Sequence, residues 1–155
     1  MKKLILSVLI LSFYTSCDSK TSSIQPIEKT IKAEVDYKVA VDFMNAYVKN
    51  TSDNEFVMMN DLLTENFKKK YETVMDSAYK VEPELGLGFD PIVDGQDFPN
   101  QFTIKKIDQS SGFVILQGVD WQEFDVVLKV VNENNQSLVD GSGIINIPKI
   151  KQAKR

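Results

Sequence analysis

Asp90, Asp94, Gln96 and Asp97 crowd polar oxygens into one short stretch, Asp90-Pro91-Ile92-Val93-Asp94-Gly95-Gln96-Asp97. Three chemistries suit such a set. The carboxylates could surround a hard cation such as calcium. The alternating ligands and terminal Glu of a calcium-binding helix-loop-helix are missing, however, so the sequence predicts neither a metal nor any other cofactor. They could instead accept backbone N–H bonds and hold an irregular loop, as Asp does in turns. Or one of them, Asp97 first and Asp90 second, could enter an apolar pocket, where desolvation raises its pKa and makes it a general base. Tyr47, Tyr71 and Tyr79 would then be the available oxyanion donors, although tyrosines at helical spacing usually pack in a core. The turn-forming role is the plainest reading, and the sequence predicts a non-enzyme more readily than an enzyme.

Other chemistry is excluded outright. The 155 residues contain no His and a single Cys, Cys17. This removes Ser-His and Cys-His catalysis, histidine or thiolate zinc sites, and any internal disulfide. With 18 basic and 22 acidic residues the net charge is −4, so a nucleic-acid partner is not expected. Lys68-Lys69-Lys70 would point in three directions from a helix and reads as a solvated face. The tail with Lys149, Lys151, Lys154 and Arg155 reads as an unstructured basic end, able to lie against anionic lipid. Trp121 stands beside a strand junction, where it either packs across the sheet edge or anchors a partner.

The N-terminus carries an address. Lys2 and Lys3 precede an apolar run over residues 4–14, followed by Thr15, Ser16 and Cys17. The run is too short to span a bilayer as a stable helix. Cys17 resembles the lipidated cysteine of a bacterial lipoprotein signal, with Tyr14 standing where that signal prefers an aliphatic residue. The resemblance implies a signal peptide over 1–16, a lipid on Cys17 as the contact with the membrane, and display in the cell envelope, periplasmic or at the surface. Residues 17–34 are polar and aperiodic, as in a flexible stalk.

The remaining chain has the length and the 43% hydrophobic content of one globular domain. Val39, Phe43 and Tyr47 recur at helical spacing and predict a helix over 36–50. Ser52 with Glu55 has the form of a capping box and predicts a short second helix carrying Phe56, Met59 and Leu62 inward. Thr64 predicts the cap of a third helix bearing Phe67, Tyr71, Val74 and Ala78, ended before Pro83. Gly86, Gly88, Pro91, Gly95 and Pro99 then impose a long loop. Four strands are expected at 102–104, 113–119, 124–131 and 144–147, with turns at 109–112 and 132–135. The fold class is α+β: three N-terminal helices packed on a curved, antiparallel four-stranded sheet. The domain is bounded at 35–150, with 151–155 as the basic tail. The expected core is Val39, Phe43, Tyr47, Phe67, Tyr71, Val74, Phe102, Ile104, Val114, Leu116, Val126, Leu128 and Ile145.

This order of helices, Asp-Pro loop and meander resembles the cone-shaped fold of nuclear transport factor two and ketosteroid isomerase, grouped as cystatin-like. Asp90 to Asp97, together with Leu138-Val139-Asp140-Gly141-Ser142-Gly143-Ile144-Ile145-Asn146-Ile147-Pro148, resembles more narrowly an uncharacterised bacterial domain family found on secreted proteins and lipoproteins. The cone implies a ligand at its open end, walled by Tyr47, Tyr71 and Phe89, with Asp90, Asp94 and Asp97 at the rim. The function expected is a membrane-anchored binding or interaction module of the envelope, contacting a small ligand or an envelope protein. The alternatives are a small isomerase or hydrolase using Asp97, and an inhibitor that neutralises a basic toxin with its acidic surface.

Overall fold

Apolar residues three and four apart make the first helix, α1 (Lys38–Tyr47), and Val39, Ala40, Phe43, Met44 and Tyr47 form its buried face. In the computed structural model, which describes residues 34–51 and 53–154, α1 stops three residues short of the expected end. There the Lys49 and Asn50 amides bond three residues back, to Ala46 and Tyr47, and tighten the last turn. The Asn50 side chain donates to the Ala46 carbonyl at 2.7 Å, so a freed helix-end acceptor is satisfied. The signal, Cys17, the stalk as far as residue 33, Ser52 and Arg155 lie outside the described residues.

The second helix, α2 (Asn54–Met58), is capped by Asp53, whose Oδ1 accepts from the Glu55 amide at 2.9 Å. Its inward residues differ from expectation. Val57 is buried and Phe56 half-buried, whereas Met59 is 77% exposed because it already belongs to the turn that leaves the helix. Thr64 caps α3 (Glu65–Val81) as expected, its Oγ1 accepting from the Phe67 amide at 3.0 Å. The same hydroxyl donates to Asp140 Oδ1 at 2.8 Å. Phe67 and Ala78 are buried, while Tyr71 and Val74 are half-buried against the core.

Four strands follow: β1 (Phe102–Asp108), β2 (Phe113–Gly118), β3 (Asp125–Glu133) and β4 (Gln136–Ser142). Each pairs antiparallel with the next, in spatial order β1-β2-β3-β4. The architecture is therefore α+β, with the helices first and a meandering sheet after them. Register puts Ile104 opposite Leu116, Leu116 opposite Val126 and Val114 opposite Leu128. These side chains share one apolar cluster with Phe43, Met44 and Phe67. Ile104, expected in the core, is half-buried at its margin. Register shifts fall at Ile104/Lys106 and at Lys129/Val130, where a bulge bends and twists a strand.

The fourth strand is earlier than expected. Asn134 and Asn135 both have positive φ, 52° and 65°, which makes them the two-residue turn of a β3–β4 hairpin. Residues 144–147 instead form a tight return on β4, with Ser142 and Ile145 exchanging backbone bonds of 2.9 and 2.8 Å. Ile145 and Ile147 remain buried. Beyond β4, the chain before α3 lies along its edge: the Thr64 amide donates to Val139 O at 3.1 Å and the Val139 amide to Leu62 O at 2.8 Å. At the opposite edge the Asn45 side chain meets β1 twice, donating to Phe102 O at 3.0 Å and accepting from Phe102 N at 2.7 Å. The last element is a short 3₁₀ turn, Lys149–Lys151.

Candidate functional site

Asp90 organises the acidic loop from within. Its Oδ1 accepts from the amides of Ile92 at 2.8 Å and Val93 at 3.1 Å, and its Oδ2 accepts from the Tyr47 hydroxyl at 2.6 Å. Its backbone exchanges bonds with Gly95, closing the loop. The result drives Ile92 and Val93 completely out of solvent. The chain after β4 completes the packing: the Ile144 amide donates to Pro91 O at 2.9 Å, and Ser142 Oγ donates to Ile92 O at 2.7 Å. Gly143, at φ 58°, lies so close to the Pro91 and Ile92 carbonyls that a Cβ there would collide with both.

Burial pushes the Tyr47 hydroxyl far above its ordinary pKa, and the Asp90 charge and hydrogen bond push the same way. Tyr71 is raised by its own burial first, then by the charges of Asp90 and Tyr79. Tyr47, Tyr71 and Asp90 are thus gathered into one cluster. Tyr47 is 4% exposed and its hydroxyl donates to Asp90, so it belongs to the core, whereas Tyr71 also borders an open depression of about 200 Å³ with Met58, Met75 and Tyr79. Phe89 and Asp94 are half-buried, Asp94 with φ 56°. Asp97 points elsewhere and is exposed, so it lacks the enclosure that would make it a desolvated base. Among the described residues, no group of three or more His, Cys, Asp or Glu side chains could hold a metal ion.

Asp97 instead shares a shallow, open depression of about 450 Å³ with Gln96, Trp121, Glu123, Phe124 and Lys154. Trp121 is 45% exposed, yet its surroundings hold it. Its ring centroid is 5.0 Å from that of Phe124. The hairpin tip is fixed by Gly118 N donating to Phe124 O, Phe124 N to Trp121 O, and Val119 N to Gln101 O. The Gln117 side chain donates to Gln122 O, and Asp120 accepts from both the backbone and side-chain N–H groups of Asn100. The Asn100 amide is the main cause that lowers the Asp120 pKa below the ordinary carboxylate range. A large aromatic surface is therefore presented to solvent with little conformational freedom left to lose on contact. Around it stand the Asp97 and Glu123 carboxylates and the Lys154 ammonium, acceptors and a donor suited to orienting a bound partner.

Sequence reasoning singled out Trp121 and Asp97 separately and did not join them. Glu123 was missed, since it lies in no motif, and Lys154 was read only as part of a basic tail and not as a neighbour of Trp121. The one available signal was Trp121 itself, next to a turn and without a helical or alternating apolar pattern to bury it. Compared with family models, curated proteins and solved structures, the chain matches none of them.

Proposed function

We propose that this protein is a bacterial envelope lipoprotein, anchored by lipid on Cys17, whose domain over 35–150 is a binding module that meets its partner at Trp121. The observation that carries the anchor is the position of the only cysteine, directly after the basic start, the apolar run over 4–14 and the small pair Thr15-Ser16. Two or more acyl chains at one residue supply the membrane affinity that one chain does not. Among the described residues no helix is long and apolar enough to cross a membrane.

The rigid, exposed Trp121 supports contact over catalysis, because interface anchors are commonly aromatic residues whose order is paid for before binding. Asp90 is engaged by three donors, and Asp97 is exposed, so nothing favours the isomerase or hydrolase reading. The finer fold belongs to the same proposal: helices first, then an Asp-Pro loop and a four-strand meander, fit the cone of the nuclear transport factor two-like group. The two stretches that resemble the uncharacterised lipoprotein-associated family bond to each other through Ile144 and Pro91, as parts of one motif would.

Intact-mass measurement of protein extracted from membranes tests the anchor. A chain beginning at a lipidated Cys17 is expected, and an unmodified cysteine or a retained Met1 overturns it. Affinity capture from envelope extract with the Trp121→Ala variant beside the unaltered protein tests the contact. Loss of a captured partner without loss of melting temperature is expected, and equal capture overturns the role of Trp121.

A further inference from the structure

We propose that the depression beside Trp121 binds a neutral glycan, with one pyranose ring against the indole and its hydroxyls held by the rim; this rests on the reading of Trp121 as the contact residue. The depression, about 450 Å³, has a volume within the range that ligand sites use. Its apolar part is Trp121, 45% exposed, with Phe124 at a ring-centroid distance of 5.0 Å. Its polar part is Gln96, Asp97, Glu123 and Lys154, all exposed. Among the described residues, Asp97, Glu123 and Lys154 enter no ion pair. Gln96 uses only its amide nitrogen, which donates to the Gly88 carbonyl at 3.1 Å. That leaves two carboxylates and an amide oxygen to accept and an ammonium to donate.

This mixture of groups selects the ligand. An organic cation would suit Asp97 and Glu123 but meet Lys154, and an anion would meet the reverse. A wholly apolar ligand would cover charged groups and give them no hydrogen bond. An extended peptide adds most readily to free main-chain groups. Here the nearby ones are taken: Trp121 O accepts from Phe124 N, Gln122 O from the Gln117 side chain, and Gly118 N donates to Phe124 O. A sugar answers every polar lining group. Its hydroxyls donate to carboxylates and accept from an ammonium, and the C–H groups on one side of a pyranose present an apolar, slightly positive surface to the electron-rich indole. Equatorial substitution leaves that surface flat, so β-1,4-linked rings fit best. With the hairpin tip fixed, the indole has little freedom to lose on contact.

Trp121 is the only tryptophan of the chain, so its emission reads this site alone. The full-length protein, kept in a polyoxyethylene detergent that carries no sugar, is titrated with N-acetylated chitotetraose and with cellotetraose, and with sorbitol as a polyol that lacks a ring face. A saturable blue shift with at least one tetrasaccharide and none with sorbitol is expected. Asp97→Asn and Glu123→Gln, both at exposed positions, should each weaken binding about tenfold while the melting temperature stays unchanged. No saturable shift with either tetrasaccharide into the millimolar range, or the same shift with sorbitol, overturns the glycan. Binding unaltered by both substitutions overturns the rim as its site. If the glycan fails, Trp121-dependent capture of a partner from envelope extract still upholds the contact, whereas equal capture by Trp121→Ala overturns the contact itself, so the two failures are told apart.

Discussion

The Tyr47 hydroxyl donates to Asp90 Oδ2 at 2.6 Å, joining the last turn of α1 to the acidic loop across 43 residues of chain. This bond turns the most reactive-looking segment of the sequence into part of the core. Asp90 has both oxygens engaged, and the loop it folds contributes the fully buried Ile92 and Val93.

Tyr47→Phe removes the donor and leaves a half-buried carboxylate oxygen short of a partner. A loss of about 1 to 3 kcal/mol is expected, measured by urea unfolding. The unaltered protein should also lose stability as pH rises. The folded tyrosine holds its proton above the ordinary range, so from about pH 10 upward the unfolded chain releases a proton that the fold retains. The stabilisation is complete below that pH and declines above it. The Tyr47→Phe variant should show a shallower alkaline decline.

Phe43 is fully buried and packs its ring 5.9 Å from both Tyr47 and Phe67. Phe43→Ala should destabilise by about 3 to 5 kcal/mol. An unchanged melting curve would remove α1 from the centre of the core.

At Gly143 the backbone has φ 58°, and a side chain would be driven into the Pro91 and Ile92 carbonyls. Gly143→Ala should cost more than about 2 kcal/mol through strain and contact together. Hydrogen exchange should also speed at Ile144, whose amide is held by Pro91 O.

In the β1–β2 turn, the Ser110 hydroxyl, and after it that of Ser111, hold the Asp108 carboxyl down at about 2. Such a group stabilises the fold fully above the unfolded aspartate pKa of about 4 and loses that effect as pH falls through its folded value. Carboxyl resonances followed by NMR should give a midpoint near 2, moving up in Ser110→Ala. A midpoint near 4, the ordinary aspartate value, would mean that the hydroxyl bonds do not persist.

Helical spacing made α1 and α3 legible, and Thr64 announced the start of α3 because its cap is a purely local bond. Strand four was not legible in the same way. Gln136-Ser137-Leu138-Val139-Asp140-Gly141-Ser142 has little β-branched character, and it is held as a strand by β3 on one side and residues 62–64 on the other. Ile144 to Ile147 look like a strand because they are apolar, but their burial comes from a return beneath the Asp90 loop. Tertiary context overrode propensity in both places. Asn134-Asn135 did carry the correct turn signal, within a broader polar spacer. The site divided similarly. The Asp cluster was visible as composition, but the structural role of Asp90 depends on Tyr47, and the surroundings of Asp97 include Trp121, both remote in sequence.

The Asn45 amide, bonded to both backbone groups of Phe102, also answers a hazard that every open sheet faces. The β4 border is occupied by residues 62–64, but among the described residues no strand pairs with the outer edge of β1, along which another strand could add. Asn45 acts there as a plug, taking the place that an incoming chain would use first. Past it, the irregularity between Ile104 and Lys106 breaks the spacing, and Lys105 and Lys106 add charge. Together these make β1 a poor template for fibril growth, so folded copies that meet edge to edge do not extend one another's sheets.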